Sequence, residues 1–220
     1  TAMSEEKRER ELEQPADQAP EDTGTVPEGR DQDAPEGLEA AIYGWAQALI
    51  TAVVGVVLLF TFLVRLIGVS GPSMQDTLYT GDRLVVVNPM LCSFQPGDVV
   101  VARNYNANLD ETLVKRIVAV GGQTVDIDFV SGVVYVDGVA LDEPYVKEPT
   151  YKPEGIQFPL TLAEDEVFIM GDNRNHSTDS RSTDLGPVKV GYLQGKAVFL
   201  LLPGETPDLE KREWGRIGPV

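Results

Sequence analysis

A serine sits at a Gly-Pro turn, Val69-Ser70-Gly71-Pro72-Ser73-Met74, a short way beyond a long uncharged segment. Serine is a weak nucleophile at its ordinary pKa and needs a neighbouring base to take its proton. Two residues are candidates for that base. His176 is the single imidazole of the chain, so a Ser-His-Asp arrangement would have to use it. Lys115 is the other, within Thr112-Leu113-Val114-Lys115-Arg116-Ile117-Val118. A charged lysine in an apolar strand is expensive to desolvate, and burial lowers an amine's pKa until it acts as a base near neutral pH. The same lysine on an edge strand would point at water, and most serines in Gly-Pro turns are turn residues only. Residue types alone leave nucleophile and base open. Further on, Gly171-Asp172-Asn173-Arg174-Asn175 is followed by Ser177, Asp179, Ser180 and Arg181. One His and one Cys, Cys92, do not make a structural zinc site, and a lone Cys cannot form an intrachain disulfide.

The elements that must position these residues read as β-strands. Leu84-Val85-Val86-Val87, Val99-Val100-Val101 and Val125 to Phe129 are short β-branched runs bounded by Gly, Pro, Asp or Asn. Val133 to Asp142 reads as a hairpin with a type I′ turn at Asp137-Gly138. Val167 to Met170 and Lys196 to Leu202 supply further strands. Alternate side chains of a strand point to opposite faces, so Arg116 is expected to face away from Lys115. A turn such as Gly71-Pro72 lifts a side chain out of a sheet and leaves backbone N–H groups free. The composition shifts after Gln123. Residues 68–123 and 166–203 are expected to form the β core, 124–165 an inserted hairpin and Pro-rich subdomain, and 204–220 a C-terminal tail.

Ahead of the strands, Ala40 to Val64 is a run of 25 uncharged residues. As a helix it would span about 37 Å, against about 30 Å of bilayer hydrocarbon. Tyr43 and Trp45 suit one membrane interface and Arg65 closes the run, so 40–67 is read as a single transmembrane anchor in contact with lipid. Residues 1–39 hold thirteen acidic and four basic residues and no aromatic, which accounts for nine of the chain's 17 net negative charges. Such a stretch buries too little apolar surface to offset its ordering entropy and is expected to be disordered. An acidic chain without a Lys/Arg cluster argues against nucleic acid as a partner.

Taken together, four blocks resemble type I signal peptidases, the bacterial leader peptidase family with a Ser-Lys dyad. They are Ser73-Met74 with Thr77-Leu78; Gly81-Asp82-Arg83-Leu84-Val85-Val86; Pro96-Gly97-Asp98-Val99-Val100 followed by Val114-Lys115-Arg116-Ile117; and Gly171 to Asn175 with Ser177 and Asp179-Ser180-Arg181. The resemblance implies an all-β fold: a signal-peptidase-like antiparallel β domain with a smaller inserted β region, tethered by one N-terminal helix. It implies a membrane serine protease that removes signal peptides from secretory preproteins, without cofactor or metal. Ser73 would be the nucleophile and Lys115 the general base, with Ser177 orienting the amine and an Asp179–Arg181 ion pair holding the loop. Asp172, Asn173 and Arg174 look structural, and His176 a bystander. Some relatives carry a hydroxyl at the position of Gly71 that donates to the oxyanion; here backbone N–H groups at Ser73 and its neighbours would serve alone. Val69, Met74, Leu113 and Val114 would flank a peptide bound by β-addition in shallow pockets for small side chains. The cleavage site of a signal peptide emerges outside the cytoplasm, so the β domain is expected on the outer face of the bacterial cytoplasmic membrane. Three other readings stand beside this one: a non-catalytic, membrane-tethered β binding module, a peptidase specialised for pilus or conjugation substrates, and a LexA-like self-cleaving repressor. The anchor and the acidic N-terminus count against the last.

Overall fold

The computed structural model describes residues 37–104, 111–206 and 211–220. The expected acidic tail thus lies almost wholly outside the described residues. Residues Gln47–Val220 form one compact unit. An α-helix, α1, covers Leu38–Leu58 and continues as a π-helical turn over Leu59–Leu63. Ala40–Leu63 is 24 residues long with a mean hydropathy of 2.3, long and apolar enough to cross a membrane.

Helix gives way to strand earlier than the expected 40–67 anchor. Val64 is extended (φ −136°, ψ 153°), and β1 (Val64–Gly68) pairs with Arg83–Val87, β2. Arg65 interrupts the apolar run, but Leu66-Ile67 after it is apolar enough for either outcome. The run Val64-Arg65-Leu66-Ile67 is β-branched enough to extend, and β2 supplies the hydrogen-bond partners that decide it.

The remaining strands are β3 (Val99–Asn104), β4 (Glu111–Val120), β5 (Thr124–Asp128), β6 (Val133–Val136), β7 (Val139–Ala140), β8 (Leu160–Thr161), β9 (Glu166–Met170), β10 (Val188–Lys189), β11 (Leu193–Leu202), β12 (Glu205–Thr206), β13 (Lys211–Arg212) and β14 (Gly218–Pro219). The large sheet runs β1-β2-β11-β3-β4-β9-β10, with β14 added beside β11. Among the described residues its strands pair antiparallel. The segment 124–165 holds a separate antiparallel sheet, β7-β6-β5-β8. Its β6–β7 hairpin turns at Asp137 (φ 51°) and Gly138 (φ 77°), the two positive φ values a type I′ turn requires. Beyond Pro203 the chain is not a free tail: β12 pairs with β13, and β14 returns to β11.

Alternating residues of the central strands feed different cores, which is why they are Val-rich without a polar face. On β3, Val99 and Val101 pack with Leu84, Val86 and Ala197, while Val100 and Ala102 pack with Ile117, Ile169 and Leu193. On β9, Phe168 and Met170 join the inserted sheet's Val125, Ile127 and Val134, and Val167 and Ile169 turn to the opposite side. Lys115 opposes Val100 and Leu113 opposes Ala102, so Lys115 shares its face with apolar neighbours.

Candidate active site

Ser73 begins the turn that follows β1. Gly71, at φ +90°, makes the reversal, and Thr80 Oγ1 accepts from its N–H at 3.1 Å. A residue with a Cβ is strained at that φ, so glycine suits the backbone here. The turn is closed by Gln75 N–H to Pro72 O (3.1 Å) and Leu78 N–H to Met74 O (2.7 Å).

Lys115 comes to this turn from the middle of β4. Its Nζ lies 2.7 Å from Ser73 Oγ, and the residue is 3% exposed. Arg116, its neighbour, points the other way: Nε and Nη2 donate to the two Asp172 oxygens at 2.9 and 2.7 Å, and the guanidinium stacks on the Tyr145 ring. His176 is exposed on the short helical turn after Asn173. The structure therefore brings Ser73 together with the amine rather than the imidazole.

The loop after β9 packs against the nucleophile turn. Gly171 lies so close that a Cβ there would overlap Ser177 Oγ and the Ser73 carbonyl oxygen. Ser177 Oγ donates to Asp179 Oδ2 at 2.8 Å, and Gly171 N–H donates to the same oxygen at 3.0 Å. Arg181 donates to both Asp179 oxygens at 2.8 Å, and both residues are fully buried. Arg181 also donates to the carbonyls of Arg174 (2.5 Å) and Lys152 (3.1 Å), so one guanidinium binds the loop to itself and to the inserted segment.

An open cleft of about 600 Å³ leads away from Ser73 and Lys115. One wall is Ile67 to Met74 and the other Thr112 to Lys115, with Thr178, Asp184 and Leu185 at the edge. Following the antiparallel ladder from β1 through β2, β11 and β3 to β4 shows that β1 and β4 run in the same direction. The sheet curls so that these strands face each other across the gap without pairing. Val69, Met74, Leu113 and Val114 all line it, although the Val69 and Met74 side chains are buried in the core beneath. Sequence reasoning missed Ile67, Thr112, Asp184 and Leu185, because a cleft wall made by curling leaves no local signature.

Among the described residues no group of three His, Cys, Asp or Glu side chains is arranged to hold a metal ion. Tyr145 and Cys92, both outside the cleft, have displaced titrations. Burial, reinforced by Glu143, pushes the Tyr145 phenol well above the ordinary tyrosine range. Burial also raises the Cys92 thiol.

A family model described as "Signal peptidase, peptidase S26" matches residues 42–202. The chain belongs to that family. It is thus a peptidase, a hydrolase of the serine protease type. The chain is 33% identical to signal peptidase I of Bacillus amyloliquefaciens, over 75% of its own length and 90% of the relative's. It is 32% identical to signal peptidase I of Bacillus licheniformis, over 74% and 90%. With signal peptidase I of Mycobacterium tuberculosis the identity is 33%, over 70% and 71%. A crystal structure of a signal peptidase I from Enterococcus faecalis aligns with a TM-score of 0.40 and 25% identity, covering 48% of this chain and 97% of that one. An apolar helix followed by a curled, mostly antiparallel sheet is the fold of a signal peptidase.

Proposed function

We propose that this protein is a membrane-bound serine endopeptidase that removes N-terminal signal peptides from exported preproteins after small-x-small sites. Ser73 is the nucleophile and Lys115 the general base. The observation that carries the reading is the 2.7 Å approach of Lys115 Nζ to Ser73 Oγ, with the amine almost wholly out of water. An amine in that position acts as a base only when it is neutral, and desolvation favours the neutral form.

The substrate strand enters the gap between residues 67–71 and 112–114 and fills the missing place in the curled sheet by β-addition. Ser73 Oγ attacks the scissile carbonyl carbon as its proton passes to Lys115 Nζ. The carbonyl oxygen becomes an oxyanion, stabilised by backbone N–H groups of the nucleophile turn. Collapse breaks the C–N bond, and the lysine proton leaves with the new N-terminal amine of the mature protein. Water then attacks the acyl-serine carbonyl, giving one proton to Lys115. Collapse breaks the bond to Ser73 Oγ, which takes that proton back from Lys115, and the signal peptide leaves with a new C-terminal carboxyl group. Ser177, held through Asp179 and Arg181, steadies the lysine side of the site. The apolar helix anchors the chain by a single pass in the bacterial cytoplasmic membrane, with the β domain on the outer face where cleavage sites emerge.

The test is cleavage of an Ala-x-Ala precursor in detergent by the wild type, Ser73→Ala and Lys115→Met. The reading requires cutting after the small residue by the wild type and silence from both variants, with unchanged unfolding midpoints. A wild type inert on several precursors, or a Lys115→Met variant that still cuts, overturns it.

A further inference from the structure

Asn173 touches the nucleophile turn twice. Its backbone N–H donates to the Ser73 carbonyl at 3.0 Å, and its side-chain Nδ2 donates to the Pro72 carbonyl at 3.1 Å. These two carbonyls belong to consecutive peptide groups, Pro72–Ser73 and Ser73–Met74, both trans. In a trans peptide the N–H points opposite to the C=O within one rigid plane. Pinning both carbonyls from the Asn173 side therefore turns the N–H groups of Ser73 and Met74 to the other side. Both residues line the cleft, and among the described residues neither N–H has a hydrogen-bond partner. Buried N–H groups are seldom left unpaired without a reason, and Met74 is 1% exposed.

Asn173 itself is an odd choice for stability. It is 3% exposed, and its Oδ1 has no hydrogen-bond partner among the described residues. The reverse amide orientation would set that oxygen against the Pro72 carbonyl, so the donor assignment stands on the network. An asparagine that commits its amide to the nucleophile turn and leaves its own oxygen unpaired is a poor structural device but a good positioning one. Gly71 adds the motive: it has no side-chain donor, and its φ of +90° disfavours any residue that would bring one.

We propose that Asn173 is a positioning residue for the reaction, holding two peptide planes so that the Ser73 and Met74 N–H groups converge on the developing oxyanion. This rests on Ser73 being the nucleophile. The Met74 N–H then takes the place of a side-chain donor at position 71.

The experiment uses the full-length protein in detergent and compares the wild type with Asn173→Asp, which keeps the shape and loses the donor. Asn173→Leu, of similar volume and without polar atoms, serves as the second variant. Steady-state cleavage is measured alongside binding of two peptides of the same small-x-small sequence, one ending in a boronic acid and one in a carboxamide. The boronate forms a tetrahedral adduct with the serine and places an oxygen where the oxyanion develops; the carboxamide only occupies the cleft. We expect kcat to fall on the order of 10- to 100-fold with KM within about threefold. Boronate affinity should fall by a similar factor, with carboxamide affinity and Tm little changed. Values of kcat within about threefold of wild type in both variants overturn the proposal. So does an equal loss of boronate and carboxamide binding, which a merely structural role would produce. A wild type that cleaves nothing overturns the peptidase reading together with this inference. An active wild type beside unimpaired Asn173 variants overturns this inference alone.

Discussion

Arg174 and Glu143 form a buried two-point ion pair, Nη2 to Oε1 at 2.6 Å and Nη1 to Oε2 at 2.9 Å. Arg174 follows β9 in the loop that reaches Ser73, and Glu143 follows β7 in the inserted segment. The pair thus ties the small sheet's chain to the site loop. The Arg174 side chain is 1% exposed, so removing its partner leaves a charge without water. Glu143→Gln is expected to cost about 3 kcal/mol, the lower end for breaking a buried pair, because Thr150 Oγ1 and the Gly171 carbonyl still accept from Arg174. Urea unfolding measures it, and a loss below about 1 kcal/mol would show that the pair contributes little.

Tyr145 donates to Glu143 Oε1 at 2.8 Å and lies beneath the Arg116 guanidinium. Burial first, and then the Glu143 charge, raise its phenol above the ordinary range. A folded pKa above the unfolded one means that its contribution to stability is complete below the ordinary tyrosine pKa. That contribution is lost as pH rises through the folded value. Ultraviolet titration of the seven tyrosines should leave one un-ionised past the others until the protein unfolds, and Tyr145→Phe should remove that late step. A native protein whose tyrosines all titrate together would contradict the assignment.

Gly171 is where the site loop and the nucleophile turn come closest. A methyl group there overlaps the Ser73 carbonyl oxygen and Ser177 Oγ, one of which has to move. Gly171→Ala is expected to lower kcat by about 100-fold, the effect of displacing a catalytic group by about 1 Å. The overpacking should cost about 1–3 kcal/mol of stability. Activity within a few-fold of the wild type would mean that the loop relaxes without disturbing Ser73.

Leu113 sits on the β4 wall of the cleft, two residues before Lys115 and on the same face of the strand. Leu113→Trp should fill the space for a small side chain at the cleavage position and abolish processing of an Ala-x-Ala precursor while leaving Tm nearly unchanged. Unaltered cleavage by this variant would place the pocket elsewhere.

Much of the fold was legible from local pattern. The uncharged run at Ala40 to Val64 announced a helix, and the Val-rich segments announced strands, because helix and strand periodicity are properties of neighbouring residues. The Asp137-Gly138 turn was equally readable, since few residue pairs accept two positive φ values. The end of the helix was not fully legible: Arg65 closes the uncharged run, but Leu66-Ile67 beyond it is again apolar, and pairing with β2 makes Val64 to Gly68 a strand. The segment after Pro203 carries little periodic signal, and its return to β11 depends on a partner distant in sequence.

By itself the sequence determined the kind of molecule: an apolar helix, a β domain, and four ordered blocks with a serine, a lysine and a polar loop. Residue types alone left open whether Ser73 meets Lys115 or His176, since each is far from the serine along the chain; the resemblance of the four blocks pointed to Lys115. The contact itself was decided by register. Lys115 opposes Val100 on β3 and so faces the cleft, and a slip of one residue would have sent Arg116 there instead. The curl that opposes β1 to β4, and the clamp of Asn173 on Pro72 and Ser73, belong equally to the tertiary structure. Both arise from contacts between segments whose sequences carry no trace of each other.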